Sequence, residues 1–263
     1  MESSKRRFLK VAGLSAAGIA AFPAIKGFTS SGEKHSDATT PKIYKNPDAL
    51  MAKRWAMVID MRKLESEEQV EPIIEACHKI HNVPHIPTKH HEIKWIWATE
   101  YKHAFPSLGH KHIGKKLNHL PFLVLCNHCE DPPCVRACPT QATFKREDGI
   151  VLMDFHRCIG CRFCMAACPY GSRSFNFQDP RTFLKETDNK FPTRMKGVVE
   201  KCNFCAERLA QGKPPACVEA SDGAIVFGDL DDSNSDVCKL LESNHSIRRK
   251  EGLGTGPSVF YIL

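Results

Sequence analysis

Residues 157–169 read Arg157-Cys158-Ile159-Gly160-Cys161-Arg162-Phe163-Cys164-Met165-Ala166-Ala167-Cys168-Pro169. Three cysteines at two-residue intervals, then a fourth after three residues and a proline, have a specific chemical meaning. In that spacing three thiolates grip one [4Fe–4S] cluster and the fourth reaches across to a neighbouring one. A second run stands upstream, Cys126-x2-Cys129-x4-Cys134-x3-Cys138-Pro139. If each run lends its last cysteine to the other, two ligand sets follow. One is Cys126, Cys129, Cys134 and Cys168; the other is Cys158, Cys161, Cys164 and Cys138. Packing needs do not produce eight cysteines in such register, and electron transfer is the function they imply.

Composition is compatible with that reading and excludes others. The chain has 263 residues, of which thirteen are cysteines, with ordinary apolar content, so a normal core is expected. The net charge is +7, and +3 of it lies in residues 1–25, where Lys5, Arg6, Arg7 and Lys10 face only Glu2. The remaining surplus is modest for a nucleic-acid binder, and none is expected as a partner. Thiolate-held clusters are anionic, so part of the surplus is expected inside, as counter-charge.

A third group begins at Cys202-x2-Cys205 and continues at Cys217, but Ser221 stands where a fourth cysteine belongs. Three thiolates leave a [4Fe–4S] cluster one ligand short, and the chain offers only Cys77 or Cys238 to complete it.

The chain resembles the four-cluster ferredoxin-like electron-transfer subunits of dimethyl sulfoxide, polysulfide and nitrite reductases over most of residues 53–263. The segments that carry the resemblance include Cys-Asn-His-Cys-Glu-Asp-Pro-Pro-Cys at 126–134, the stretch at 157–171, Lys-Cys-Asn-Phe-Cys-Ala-Glu-Arg at 201–208 and the tail from Gly254 to Tyr261. Such subunits open on a motif of the form Val-Ile-Asp-x-Arg-Lys followed by four cysteines and Asn-Val-Pro. Here Val58-Ile59-Asp60-Met61-Arg62-Lys63 leads to Leu64, with Cys77 and Asn82-Val83-Pro84 further on, so the frame survives while three cysteines do not.

The resemblance accounts for both defects. In the family, the three leading cysteines of the first motif and the fourth of the last hold one cluster, and those four positions are the ones missing here. The partner cluster would use Cys202, Cys205, Cys217 and Cys77, all present. The expected cofactors are therefore three [4Fe–4S] clusters on twelve cysteines, and Cys238 is left as a buried structural thiol. The cluster that is absent corresponds to the one facing a molybdopterin subunit. The resemblance thus points to the three-cluster periplasmic subunit of sulfate-reducer membrane complexes, with a quinone-interacting integral membrane subunit and a multi-haem cytochrome c as partners. The alternative within the same chemistry is the electron-transfer subunit of a molybdopterin sulfur-compound or nitrite reductase. In either case the chain would be a non-catalytic subunit of an oxidoreductase complex, and no nucleophile, phosphate loop or nucleotide fingerprint argues for a substrate site.

Different classes of reading remain. Cysteine quartets also bind structural zinc, usually as two separated pairs. Export would permit disulfides, although four Cys-x2-Cys pairs make a poor staple framework. Nine of the thirteen histidines lie between His78 and His119, which reads as scattered packing and solvated positions, with a metal or cytochrome-docking role as the alternative. His128 and His156 adjoin ligand positions, where hydrogen bonding would tune a cluster.

Ser4-Lys5-Arg6-Arg7-Phe8-Leu9-Lys10 before a short Ala- and Gly-rich stretch resembles a twin-arginine export signal, with Lys5 where its first arginine belongs. Residues 1–26 are expected to be that signal, or else an uncleaved anchor, and 27–52 a linker. The resemblance to ferredoxin-like subunits implies an α+β fold of two pseudo-symmetric ferredoxin-like units with irregular loops, 121–191 inserted into a discontinuous unit of 53–120 and 192–263. Strands are expected at 92–100, 148–154 and 223–229, with Trp95 and Trp97 in the core. The expected location is periplasmic and membrane-complex associated.

Overall fold

The segment Trp-Ala-Met-Val-Ile-Asp at 55–60 is apolar on both faces, and all six residues are buried, the pattern of a strand covered on two sides. A computed structural model of the protein describes residues 46–109 and 112–263. The expected signal and most of the expected linker lie outside these. The described residues form an α+β fold of ten short strands and eight helices. In chain order the elements are β1 (Trp55–Asp60), α1 (Glu67–Ile80), β2 (Ile96–Thr99), α2 (Tyr101–Ala104), α3 (Lys115–His119), β3 (Phe122–Leu125), α4 (Pro133–Arg136), β4 (Thr143–Lys145) and β5 (Val151–Met153). They continue with α5 (Phe163–Ala167), β6 (Ser174–Phe175), β7 (Val199–Glu200), α6 (Ala206–Leu209), α7 (Ala216–Glu219), β8 (Ile225–Asp229), α8 (Asp236–Ser243), β9 (Ser246–Ile247) and β10 (Val259–Ile262). Among the described residues no helix is long and apolar enough to cross a membrane.

The main sheet has the order β8-β1-β10-β9. β1 runs parallel to β10 and antiparallel to β8, so the first strand is held between two segments from the C-terminal part of the chain. Side chains alternate across a strand. Met57 and Ile59 accordingly enter the main core with Tyr261, while Ala56 and Val58 pack with Val237 of α8 on the other face. The expected strand at 223–229 is β8, and the one at 148–154 is the short β5, paired with β4 through a turn in which Gly149 has a φ of 84°.

The strand expected over 92–100 is shorter, four residues, because Lys94 gives its backbone N–H to Ser174 Oγ (2.8 Å) rather than to a strand. Trp95 is fully buried just before β2, and Trp97 is half-buried.

Helix α1 fills the stretch between Lys63 and Cys77. Gln69 Oε1 accepts the N–H of Ser66 (3.1 Å) in a capping box, and Glu67 and Glu68 lie in the first turn, where acids suit the helix dipole. Val70, Ile73 and Cys77 form its buried stripe. Filling this space with Val and Ile contributes roughly 1.5–3 kcal/mol per side chain.

Near the end of α1, His78 Nε2 lies 3.1 Å from the Ile96 carbonyl, tying the helix to β2. Burial is the main cause that lowers its pKa to about 4, so the ring is neutral in the fold. Because the folded value lies below that of the unfolded chain, this site stabilises the fold above about pH 6.5 and the contribution is lost as pH falls toward 4. We expect His78→Gln to flatten the loss of unfolding free energy between pH 7 and pH 5 by about 2 kcal/mol in denaturant titrations of the iron-loaded protein. An unchanged pH slope would remove His78 as its source.

Candidate functional site

Burial decides the chemistry of the cysteines. Among the described residues all thirteen are free thiols, and eight of them are buried. Burial, the largest cause, drives the Cys129 and Cys217 thiols up to about 12 and pushes Cys77, Cys202 and Cys205 well above the usual thiol value. A buried thiol in such a place is inert unless a metal replaces its proton.

The first set lies where β3 ends. Cys126, Cys129, Cys134 and Cys168 all line one small pocket, together with Val151, Tyr170 and Arg173. The loop that carries them is fastened to the C-terminal tail. Glu130 N–H donates to Gly256 O (2.8 Å), Asp131 N–H to Thr255 O (3.0 Å), and Ser258 N–H to Asn127 O (2.8 Å). At Gly256 a Cβ would sit 2.8 Å from Glu130 Cβ, so the approach requires glycine. Cys134 follows Pro132 and Pro133 at the start of α4, where proline's missing N–H costs nothing.

In the second set Cys164 is buried, Cys158 and Cys138 are half-buried and Cys161 is exposed. The loop turns through Gly160 and Arg162, both at positive φ. A Cβ at Gly160 would come within 2.4 Å of Gly197 O, which leaves room only for glycine. Val199 N–H lies 3.5 Å from Cys158 Sγ. Cys138 has Thr140 Oγ1 3.7 Å from its sulfur.

The third set joins the end of α1 to the last motif. Cys77, Cys202, Cys205 and Cys217 are all buried, and after burial it is Cys205, Cys202 and Cys217 that raise the Cys77 thiol most. The sequence separates Cys77 from the other three, and the fold brings all four together. The loop bends through Phe204 and Cys205, two successive residues at positive φ, held by Asn203 Oδ1, which accepts the Cys205 N–H (2.8 Å). Ser221 is turned to the backbone instead, donating to Val218 O (2.8 Å) and accepting from Ile225 N–H (3.0 Å).

The spacing of the sulfurs tests what these thiols fit. Among the described residues the only trio of metal-ligating side chains with atoms within 4.8 Å of one another is His81, Cys205 and Glu207, so no three thiols converge that closely. A single tetrahedral zinc at Zn–S of about 2.3 Å would hold its sulfurs about 3.8 Å apart. The wider spacing suits a polynuclear cluster. Within that trio, His81 and Glu207 pair with each other (2.8 Å).

Residues outside the motifs hold the sets in place, and the sequence did not reveal them. Glu200, on the strand just before Cys202, and Arg194 form an ion pair (2.6 Å) with no exposure on either side chain. Trp95 Nε1–H (2.7 Å) and Asn176 Nδ2–H (2.6 Å) also donate to Glu200. Arg194 in turn donates to the carbonyls of His81 and Asn82 (2.7 Å) at the end of α1. The network clamps the Cys77 helix to the Cys202 strand.

Arg173 is buried and donates through Nη2 to Cys134 Sγ (3.0 Å). Lys201 is buried and donates to the carbonyls of Val151 and Cys202 (2.7 Å). The only sequence signal for either is its place near a cysteine motif.

The histidine expectations divide. His128 turns Nδ1 to the Val151 N–H (3.1 Å) and stacks on Phe204 with ring centroids 3.6 Å apart, linking the first loop to the third. Burial, then Lys201 and Arg173, hold its pKa well below the usual value. His156 is exposed. Cys238 is half-buried rather than buried because α8 lies at the surface, and its sulfur is 3.2 Å from Leu230 O.

Residues 118–183 match the 4Fe-4S dicluster domain family. Over most of its length the chain is similar to the Hdr-like menaquinol oxidoreductase iron-sulfur subunit 1 of Archaeoglobus fulgidus, with 40% identity over 98% of this chain and 97% of the relative. It is also similar to a subunit of the tetrathionate reductase of Salmonella typhimurium (33% identity, 100% of this chain and 89% of the relative). A third relative is the menaquinone reductase iron-sulfur cluster-binding subunit of Nitratidesulfovibrio vulgaris, with 35% identity over 80% of this chain and 88% of the relative.

Removing one partner of a buried ion pair leaves an uncompensated charge. Glu200→Gln is therefore expected to cost about 3–5 kcal/mol in denaturant unfolding, and the iron-loaded variant should lose iron from the third set first, measured as iron per chain against time in chelator. Stability within 1 kcal/mol of wild type would refute the clamp.

Proposed function

The chain belongs to the family of [4Fe–4S] electron-transfer subunits of menaquinol, polysulfide and dimethyl sulfoxide-type oxidoreductase complexes, and from that footing we propose that it carries three clusters between a membrane quinone subunit and a periplasmic redox partner. The clusters supply one-electron carriers when bound; the chain's work is to hold them, exclude water and set the local charge. The ligand sets are Cys126, Cys129, Cys134 and Cys168; Cys158, Cys161, Cys164 and Cys138; and Cys202, Cys205, Cys217 and Cys77.

The observation that carries the number three is the convergence of Cys77 on Cys202, Cys205 and Cys217, while Ser221 is tied to backbone and α1 fills the first-motif position with Val70 and Ile73. One cluster would be gone with all of its ligands and its neighbour kept whole.

The thiols also suggest an order. After burial, Cys126 of the first set is the largest influence raising the Cys202 thiol of the third, and Arg173 reaches both Cys134 of the first and Cys164 of the second. The first set thus sits between the other two. The second set is the exposed end: Cys161 is exposed, and Ile159 and Phe163 beside it are 67% and 61% exposed. Apolar side chains left in water around a cofactor mark a docking face, and the quinone subunit is assigned there.

Loss of the terminal cluster argues against a molybdopterin partner and favours a multi-haem cytochrome c. The relatives named for menaquinol and menaquinone chemistry support the quinone side. The chain would then lie on the periplasmic side, exported by its twin-arginine-like signal, in an anaerobic respiratory complex of sulfur metabolism such as sulfate respiration.

Anaerobically purified protein should contain about twelve iron and twelve sulfide per chain, and Cys77→Ser should lower both by about four. Sixteen irons would restore the fourth cluster and the molybdopterin reading; a colourless zinc protein would end the redox reading. Phe163→Glu should retain all the iron yet slow reduction by menaquinol in the membrane complex at least tenfold. Unaltered reduction would move the docking face elsewhere.

A further inference from the structure

Among the described residues three buried cations, Arg173, Lys201 and Arg249, form no ion pair with a carboxylate; Arg249 donates to the carbonyls of Ala104 and Tyr170, while the other two lie beside cysteine ligands. Arg173 is 5% exposed and Lys201 is 2% exposed. Arg173 gives Nη1 to Thr143 Oγ1 (3.0 Å) and Met153 Sδ (3.3 Å) and Nη2 to Cys134 Sγ (3.0 Å). Lys201 gives its Nζ only to backbone carbonyls. Among the described residues neither forms an ion pair with Asp or Glu, in contrast to Arg194 with Glu200. A buried charge without a partner is not tolerated in a fold. The anions within reach are the thiolate sets, so the cations and the clusters balance one another.

Their positions are selective. Arg173 donates to Cys134 of the first set, which packs in one buried cluster with Cys164 of the second, and it lines the same pocket as Cys126. Lys201 bridges the carbonyl of Val151, which lines the first-set pocket, and the carbonyl of Cys202 in the third set. One cation therefore stands in each gap of the row second–first–third.

We propose that Arg173 and Lys201 are fixed counter-charges shared between neighbouring clusters, Arg173 raising the potentials of the first and second and Lys201 those of the first and third. This rests on the ligand sets proposed above. Reduction adds negative charge to a cluster, a nearby cation favours the reduced form, and because each cation would stand beside two clusters it would lift them as a pair. Both are positioning residues, since they act through the charge they hold beside the ligands.

The test is a redox titration followed by EPR on the anaerobically purified full chain, with iron counted on the same samples. In Arg173→Gln the reduced-to-oxidised ratio at a fixed potential should fall about tenfold, about 59 mV for a one-electron couple, at two clusters and stay unchanged at the third. Lys201→Gln should shift two clusters as well, sharing only one with the arginine variant. Arg173→Lys, which keeps the charge without the planar fork, should stay within threefold of wild type. Unmoved potentials at full iron content, or equal shifts of all three clusters, would overturn the proposal. If Arg173→Gln fails to retain iron, the selective shift in Lys201→Gln and the retained potentials in Arg173→Lys decide it. A wild-type iron count other than about twelve would instead overturn the three-cluster reading, whatever the cations do.

Discussion

Burying sulfur as an anion is the constraint on which the rest of this structure depends. Water would stabilise a thiolate far better than a protein interior does, and the interior accordingly pushes Cys77, Cys202 and Cys205 toward their protonated forms. The fold answers with charge and geometry at once. Cationic side chains are buried next to the thiols, and the loops that carry the thiols are bent so that backbone N–H groups face sulfur, as Phe204 N–H faces Cys202 Sγ at 3.5 Å. Each set of cysteines has such a bend: His128 in the first loop, Arg162 in the second, Phe204 and Cys205 in the third, all at positive φ. The left-handed region is costly for residues with a Cβ, so its recurrence in every cysteine loop indicates that ligand direction outweighs local strain.

The same constraint explains why the regular elements are short and the polar core is rich. Helices of four or five residues such as α4, α5, α6 and α7 are too short to be stable alone; they exist to aim a cysteine. Stability has to come from elsewhere. It comes from β1 and its neighbours, from the aromatic group of Tyr101, Phe105, Phe122 and Tyr261, and from the buried Arg194–Glu200 pair. A buried ion pair is seldom a net gain in stability. Here it fixes the register of Cys77 against Cys202.

What could be read from the sequence, and what could not, follows the range of each interaction. Cysteine spacing is local and chemically specific, so the dicluster segment was legible, and residues 118–183 match that family. The Asp148-Gly149 turn was legible for the same reason. Strand 92–100 was overextended because its apolar alternation hides the diversion of Lys94 N–H to Ser174, a residue far away in sequence. Arg173, Lys201 and Glu200 carried no pattern that distinguishes a buried charge from a surface one; only the fold reveals that they have no water. His128 was correctly singled out by its position, but its ring faces Val151 N–H and Phe204, contacts no spacing rule encodes.

The third ligand set has a consequence for biosynthesis. Its first cysteine is on α1 and the others lie almost half the chain away, beyond Glu200, so the proposed set could not come together until synthesis has passed Cys217. The dicluster segment, by contrast, is complete in one contiguous stretch. Loading would therefore follow chain order only for the first pair, with the last cofactor inserted after synthesis has passed Cys217, and a quality-control step that senses the closure of α1 would be sensing the finished holoprotein.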